Sequence, residues 1–356
     1  MVVNVGVVGT GFGQAIHVPG FQQLPGVQVL GLWGREQART QTIALKFGVP
    51  MVFASVAELA QHPDIHAVSL STPPHLHYEQ ARTVLAARKA LFCEKPLALN
   101  ATEAQEMLTL AEQARVMHGV DFEFRTVPHW LYLKEQLGRL GPLRLVEVVW
   151  QVEGRADPQR LWNWYSQRSQ GGGCLGAIGS HAFDYVEWLV GPIGRLQAQL
   201  TTSIRERPDA QGQPRLVDSD DICNILFNLA DGTPGTMLLS TATWRGQGHW
   251  VRIYGEQGTL VLGSDNLRDY VHGFRLWYAP AGGELTEQAL PERLNFPQTY
   301  PDGRLAPFMV LAERFVQSLQ TRTVMTPSLK EGLRSQILID AAHQSQQTGS
   351  WVTVWT

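Results

Sequence analysis

A lysine, a histidine and a glycine-rich turn carry most of the chemistry that this sequence of 356 residues offers. Lys95 stands in Glu94-Lys95-Pro96, directly after a short apolar run. An ammonium beside a reacting oxygen stabilises developing alkoxide charge and relays a proton, as oxidation of a secondary alcohol requires. His181 opens a helical pattern and is the second candidate, as general acid/base or substrate ligand. Asp184, three residues on, shares its helical face, placed either to orient that imidazole or to serve as a surface or core-bridging carboxylate. Trp162, Trp164 and Tyr165 offer faces that stack on a pyranose, with packing under a loop as the ordinary alternative.

Val5-Gly-Val-Val-Gly9-Thr10-Gly11-Phe12-Gly13 follows an apolar strand and opens a helix. Gly9 permits a tight turn, and Gly11 lets the backbone approach a pyrophosphate at the helix N-terminus. The third position of the dinucleotide fingerprint is Gln14, which predicts looser helix–strand packing, partly relieved by Gly13. Pro19 should kink the first helix or delay its regular start. After the second strand come Gly34, Arg35 and Arg39, a small residue and two guanidinium groups that suit a 2′-phosphate. NADP(H) is therefore favoured, while Glu36 keeps NAD(H) open through the ribose hydroxyl.

The elements that position these groups follow from periodicity. Short apolar runs at 2–8, 27–33, 67–71, 89–93 and 116–121 alternate with helical patterns near 12–24, 36–47, 56–61, 76–86 and 101–114. Such alternation predicts a doubly wound parallel sheet. After residue 121 the texture changes: helices near 129–140 and before Leu189, and strands at 143–152, 221–229, 236–242, 250–254, 259–262 and 274–279. Asp231-Gly232 marks a hairpin. Helical patterns at 305–319 and 329–346 and a strand at 351–354 close the chain. The expected organisation is an α/β Rossmann domain over 1–121, then an α+β domain over 122–356 with a large, mainly antiparallel open sheet.

Composition excludes several classes. The net charge is −3, from 29 basic and 32 acidic residues, which argues against a nucleic-acid partner. Cys93, Cys174 and Cys223 are dispersed, so neither a disulfide framework nor a metal site is expected. His75 and His77 lack further ligands at metal spacing. No apolar run reaches the length of a membrane helix, and the first strand leaves no room for a leader, so a cytoplasmic location is expected.

The glycine turn, Ser71-Thr-Pro-Pro-His-Leu-His77, Glu94-Lys95-Pro96 and the stretch from Gly171 to Asp184 together resemble the family of glucose–fructose oxidoreductase, inositol dehydrogenase and the rhizopine-catabolism oxidoreductases (Gfo/Idh/MocA). The resemblance spans the chain, and its most specific part is Glu-Lys-Pro after the fifth strand. It implies Lys95 as the catalytic residue, a cis bond before Pro96, and cofactor contacts from Ser71, Thr72, Pro73, His77 and Glu94. It also places Arg125 near the domain junction. Where many members carry an aspartate four residues before the histidine, this sequence has Ala177.

The resulting expectation is an NAD(P)-dependent oxidoreductase acting on a sugar, sugar acid or cyclitol, with Lys95 and His181, from different domains, serving one substrate. A glycosidase using tightly bound NAD and a dinucleotide-sensing regulator are the alternatives. An open sheet with an apolar face predicts a homodimer or homotetramer.

Overall fold

The computed structural model describes residues 2–267, 269 and 271–354. Contacts divide the chain into two compact units: Met1–Glu123 with Arg304–Gln336, and Phe124–Gly303 with Ile337–Thr356.

The first unit begins with β1 (Val3–Val8), a π turn (Gly13–His17), α1 (Val18–Gln22), β2 (Val27–Trp33), α2 (Gln37–Phe47), β3 (Met51–Val52) and α3 (Val56–Gln61). β4 (Ala67–Leu70), α4 (His77–Ala86), β5 (Ala90–Cys93), α5 (Ala101–Ala114) and β6 (His118–Val120) follow. The strands form one parallel sheet in the order β3-β2-β1-β4-β5-β6. In such a sheet the crevice outside the carboxyl ends of β1 and β4 is the place for a ligand, because the strand order reverses there. β4 and β5 are buried along their whole length, as helix-covered parallel strands must be. The side chain of Asn100 accepts from the Glu103 N–H and starts α5, as its type and spacing predict.

One helix was expected over 12–24. The chain instead makes a π turn before regular α-helix begins at Val18, with Pro19 in that helix's first turn. A proline there loses no hydrogen bond, so it fixes the delayed start rather than a kink. β3, only two residues long, went unpredicted.

The second unit contains α6 (Pro128–Gln136), β7 (Leu143–Gln151), a second π turn (Leu175–Gly179) and α7 (Ser180–Val190). Then come β8 (Ile193–Thr201), β9 (Glu206–Pro208), β10 (Pro214–Leu216), β11 (Ile222–Leu229) and β12 (Pro234–Ser240). β13 (Gly248–Gly255), β14 (Gly258–Ser264), β15 (Arg275–Pro280) and β16 (Thr286–Gln288) complete the run. α8 (Leu305–Thr321) belongs to the first unit and α9 (Leu329–Thr348) is divided between the two at Gln336/Ile337, before β17 (Val352–Thr353) in the second. Nine strands form one sheet, β16-β15-β14-β13-β7-β12-β11-β8-β17, antiparallel except where β7 meets β12. β11 alternates strictly: Cys223, Ile225, Phe227 and Leu229 face the core, and Asn224 and Leu226 face away. Trp130, Trp150, Phe183 and Tyr185 fill that core; each large apolar side chain so buried contributes about 1.5–3 kcal/mol.

A single division after residue 121 would leave each unit as one stretch. The contacts instead assign 304–336 to the first unit. Phe308 explains it: its ring lies 5.4 Å from Phe21, 5.8 Å from Phe92 and 4.6 Å from the His17 ring.

Candidate functional site

In the first unit the glycine turn is shaped by close approach. Gly9 has φ +118°, and a Cβ there would lie 2.6 Å from Ser71 Oγ and 2.8 Å from the Ser71 backbone. Gly13 is tighter, 2.4 Å from Ser71 Oγ. The extra residue of the π turn therefore hands the close helix–strand contact to Gly13, and packing there is not looser as Gln14 suggested. Gly11 is exposed, with nothing within 4 Å of an added Cβ. Open space over exposed backbone after β1 is what a pyrophosphate needs, so the turn fits a dinucleotide.

Gly34 is small because Thr10 and Thr40 pack against it, at 2.4 and 2.5 Å from a notional Cβ. Arg39 Nη2 donates to the Thr10 carbonyl at 3.3 Å. The Arg35 side chain is 90% exposed and lies 3.9 Å from Glu36. The Phe12 ring carries the Arg304 guanidinium at 5.0 Å. Ser71 Oγ donates to the Val8 carbonyl at 3.0 Å, and Thr72 Oγ1 to Gln80 Oε1 at 2.6 Å. Pro73 is half-buried and leads into a short 3-10 turn.

His77 is fully buried rather than lining a surface. Its ring lies between the Thr72 carbonyl (Nε2, 2.7 Å) and the Pro96 carbonyl (Nδ1, 3.0 Å). Burial drives the imidazole down to about 4 against the pull of those carbonyls. Near neutrality it therefore holds one hydrogen and donates it to one of the two. It ties the Ser71–His77 segment to the Glu-Lys-Pro segment.

Glu94 is buried and Lys95 half-buried, and the Lys95–Pro96 bond is cis. The Lys95 N–H donates to Glu94 Oε2 at 3.3 Å. Beneath them sits His17, with Nδ1 2.7 Å from Ser69 Oγ and Nε2 3.0 Å from Glu94 Oε1. Burial pushes the His17 imidazole down to about 4. Burial also raises the Glu94 carboxyl, and raises Asp121 further, with their mutual hydrogen bond holding the proton on Asp121. The sequence reading missed His17 and Asp121 as site residues. The available signal was a polar residue inside the apolar run Ile16-His17-Val18.

In the second unit His181 is 2% exposed and occupies the first turn of α7. The Phe124 ring meets it edge-on at 5.1 Å, and the Trp150 ring lies 6.2 Å away. Trp150 also stacks at 3.9 Å on His249, whose Nε2 lies 3.0 Å from the Tyr185 hydroxyl. Nothing in the sequence spacing singled out His249. Asp184 takes a bidentate pair of bonds from Arg125, Nε to Oδ2 at 2.9 Å and Nη2 to Oδ1 at 2.7 Å. Asp184 thus has Arg125 as a buried partner.

The glycine triplet is anchored by Asp220, whose Oδ2 accepts from the Leu175 N–H at 2.7 Å and from Cys223 Sγ at 3.2 Å. Donor atoms of Cys174, Asp220 and Cys223 lie within 4.8 Å of one another. Burial raises both thiols, and a thiol that keeps its proton is a poor metal ligand. Trp162 Nε1 donates to the Leu216 carbonyl, and the Tyr165 ring carries the Arg155 guanidinium at 3.8 Å. Trp164 meets the Tyr165 ring edge-on. All three aromatics are half-buried, Trp162 against β10 and Tyr165 within reach of Thr241.

No helix among the described residues is long and apolar enough to cross a membrane. Residues 3–122 match an oxidoreductase-family model described as an NAD-binding Rossmann fold, and residues 134–354 match the family's C-terminal alpha/beta domain. An uncharacterized oxidoreductase of Synechocystis sp. is 44% identical over 99% of this chain and 96% of its own. Levoglucosan dehydrogenase of Pseudarthrobacter phenanthrenivorans is 28% identical over 99% of this chain and 98% of its own. Among solved structures, levoglucosan dehydrogenase in complex with NADH and levoglucosan aligns over 100% of both chains, with TM-score 0.91 and 25% identity.

Proposed function

This chain belongs to the Gfo/Idh/MocA oxidoreductase family, and from that membership we propose that it oxidises a secondary alcohol of a sugar or anhydrosugar with a nicotinamide dinucleotide. The observation that carries the reading is Glu94-Lys95-Pro96 at the end of β5, in the same sheet whose β1 ends in the open Gly9–Gly13 turn. The sugar class is supported by the likeness to levoglucosan dehydrogenase.

Gly9, Thr10, Gly11 and Phe12 hold the pyrophosphate, Gly34, Arg35 and Arg39 the adenosine ribose, and Ser71, Thr72, Pro73, Glu94 and Lys95 the nicotinamide half. When bound, the nicotinamide supplies a hydride acceptor. The Lys95 ammonium stabilises the developing alkoxide and relays the hydroxyl proton onward as the alcohol carbon becomes a carbonyl, so that the alcohol loses a hydride to the nicotinamide and a proton by way of Lys95. His181 binds the substrate hydroxyl or exchanges that proton, and Trp162, Trp164 and Tyr165 line the sugar's apolar face. Arg35, exposed and beside Glu36, favours the 2′-phosphate of NADP over NAD. A second copy covers the outward face of the nine-stranded sheet, where Leu226 is exposed.

The test is a panel of sugars, cyclitols and levoglucosan with NAD+ and NADP+, read as reduced-nicotinamide absorbance. Turnover of a sugar that disappears in Lys95→Met supports the reading. Tight cofactor binding with no turnover of any member would instead mark a dinucleotide sensor. Arg35→Ser should lower the NADP+/NAD+ ratio of kcat/KM about tenfold; an unchanged ratio removes the NADP preference alone.

A further inference from the structure

Two buried side chains behind the lysine, His17 and Asp121, have no part in the chemistry above. We propose that His17 is a positioning residue for Glu94-Lys95-Pro96: its Nε2–H holds the Glu94 carboxylate, while Asp121 keeps a proton and donates it to that same carboxylate.

Hydrogen-bond bookkeeping within the first unit fixes this arrangement. His17 Nε2 lies 3.0 Å from Glu94 Oε1, and its Nδ1 lies 2.7 Å from Ser69 Oγ. A neutral ring has one N–H. With the hydrogen on Nε2, the ring donates to Glu94 and Nδ1 accepts from the Ser69 hydroxyl. Glu94 then receives three donors: His17 Nε2–H, the Lys95 backbone N–H and the Asp121 hydroxyl. The reverse arrangement puts the proton on Glu94 and leaves Asp121 ionised. Asp121 Oδ1 is buried with no hydrogen-bond partner among the described residues. An orphaned oxygen costs far more on a buried carboxylate than on a neutral acid. Glu94 is therefore the anion and Asp121 the acid.

The surroundings agree. The cluster is met by Ser69 on β4, Cys93 and Lys95 at β5, Glu123 beyond β6, and the rings of Phe12, Phe92 and Phe308. Of these, Lys95 pulls both acids down electrostatically and Glu123 pushes Glu94 up. The result is one fixed negative charge, oriented from below, on the residue that precedes the lysine. The geometry of this claim stands alone; its consequence for the cofactor rests on the proposed function.

The experiment uses the full chain with 15N-labelled histidine, the His17 signals being those lost in His17→Phe. The expected spectrum shows the Nε2–H tautomer, titrating only near pH 4. The Nδ1–H tautomer, or titration near the ordinary imidazole value, overturns the proposal. NADH fluorescence titration is the second readout and needs no substrate. Asp121→Asn keeps a neutral donor, so its NADH affinity should stay within about twofold of the parent, whereas His17→Phe and Glu94→Gln should each lose about tenfold. Asp121→Asn weakening NADH as much as His17→Phe overturns the shared-proton arrangement, as does a stoichiometric metal that His17→Phe releases. A parent chain that binds neither NADH nor NADPH sinks the oxidoreductase reading, while the tautomer still decides the role of His17.

Discussion

The chain opens two helices with a π turn, at Gly13–His17 and at Leu175–Gly179, and sets a buried histidine beside each. Their surroundings are opposite. His17 faces a hydroxyl on one nitrogen and a carboxylate on the other, with Asp121 behind. His181 is packed by the Phe124 edge and the Trp150 ring, with the Arg125–Asp184 pair one helical turn on. A π turn costs an irregular hydrogen-bond pattern and is kept where an extra residue re-aims a side chain. The same backbone device thus serves a fixed polar framework in one unit and an aromatic-walled imidazole in the other. An imidazole with both nitrogens committed, as in His17, resists a change of charge.

The largest test of that contrast is kinetic. His181→Asn and Lys95→Met should each lower kcat by about 10²–10⁴-fold, with a double variant less than additive if both serve one transition state. If His181→Asn leaves turnover intact and only lowers the melting temperature, both histidines are framework and the contrast collapses. The next effect is on stability. Asp184→Ala strands the Arg125 guanidinium in the core and should cost about 3–5 kcal/mol by denaturant unfolding; a loss below 1 kcal/mol would show that solvent already reaches the pair.

Acid sharpens the comparison from the other side. The folded His17 imidazole is depressed from 6.5 to about 4, so its contribution is complete above pH 6.5 and is lost as pH falls toward 4. His77 and His118 share that sign and window. Glu94 and Asp121 act oppositely, because a raised acid takes up its proton in the fold first. His17→Phe should therefore flatten the fall in stability between pH 7 and 4.5 by up to about 3 kcal/mol. An unaltered pH profile would mean His17 is charged in the fold. The smallest effect is a matched pair of substitutions. Gly13→Ala drives a methyl to 2.4 Å from Ser71 Oγ and should cost about 1–3 kcal/mol. Gly179→Ala meets the Leu175 side-chain tip at 3.1 Å and should stay within about 1 kcal/mol of the parent. Equal losses would deny that the two π turns are packed differently.

Much of the architecture was legible because parallel strands buried on both faces leave continuous apolar runs, and caps such as Asn100 announce helix starts. β8 was missed although Leu196, Ala198 and Leu200 alternate with polar residues; β9 and β10 are three residues each, too short for any period. The π turns left no trace either, since one added residue hardly disturbs a helical apolar pattern. Lys95, His181 and the glycine turn were readable because their chemistry is local to a motif.

Pairings across the chain were not. Glycines at 9, 11 and 13, a lysine after β5 and the strand–helix rhythm are written in neighbouring residues, where backbone preference and side-chain type act directly. That His17 meets Glu94, that Arg125 takes Asp184, and that residues 304–336 join the first unit depend on contacts between residues tens to hundreds apart. Burial chooses those partners, because a polar group removed from water must find its counterpart wherever the fold delivers one.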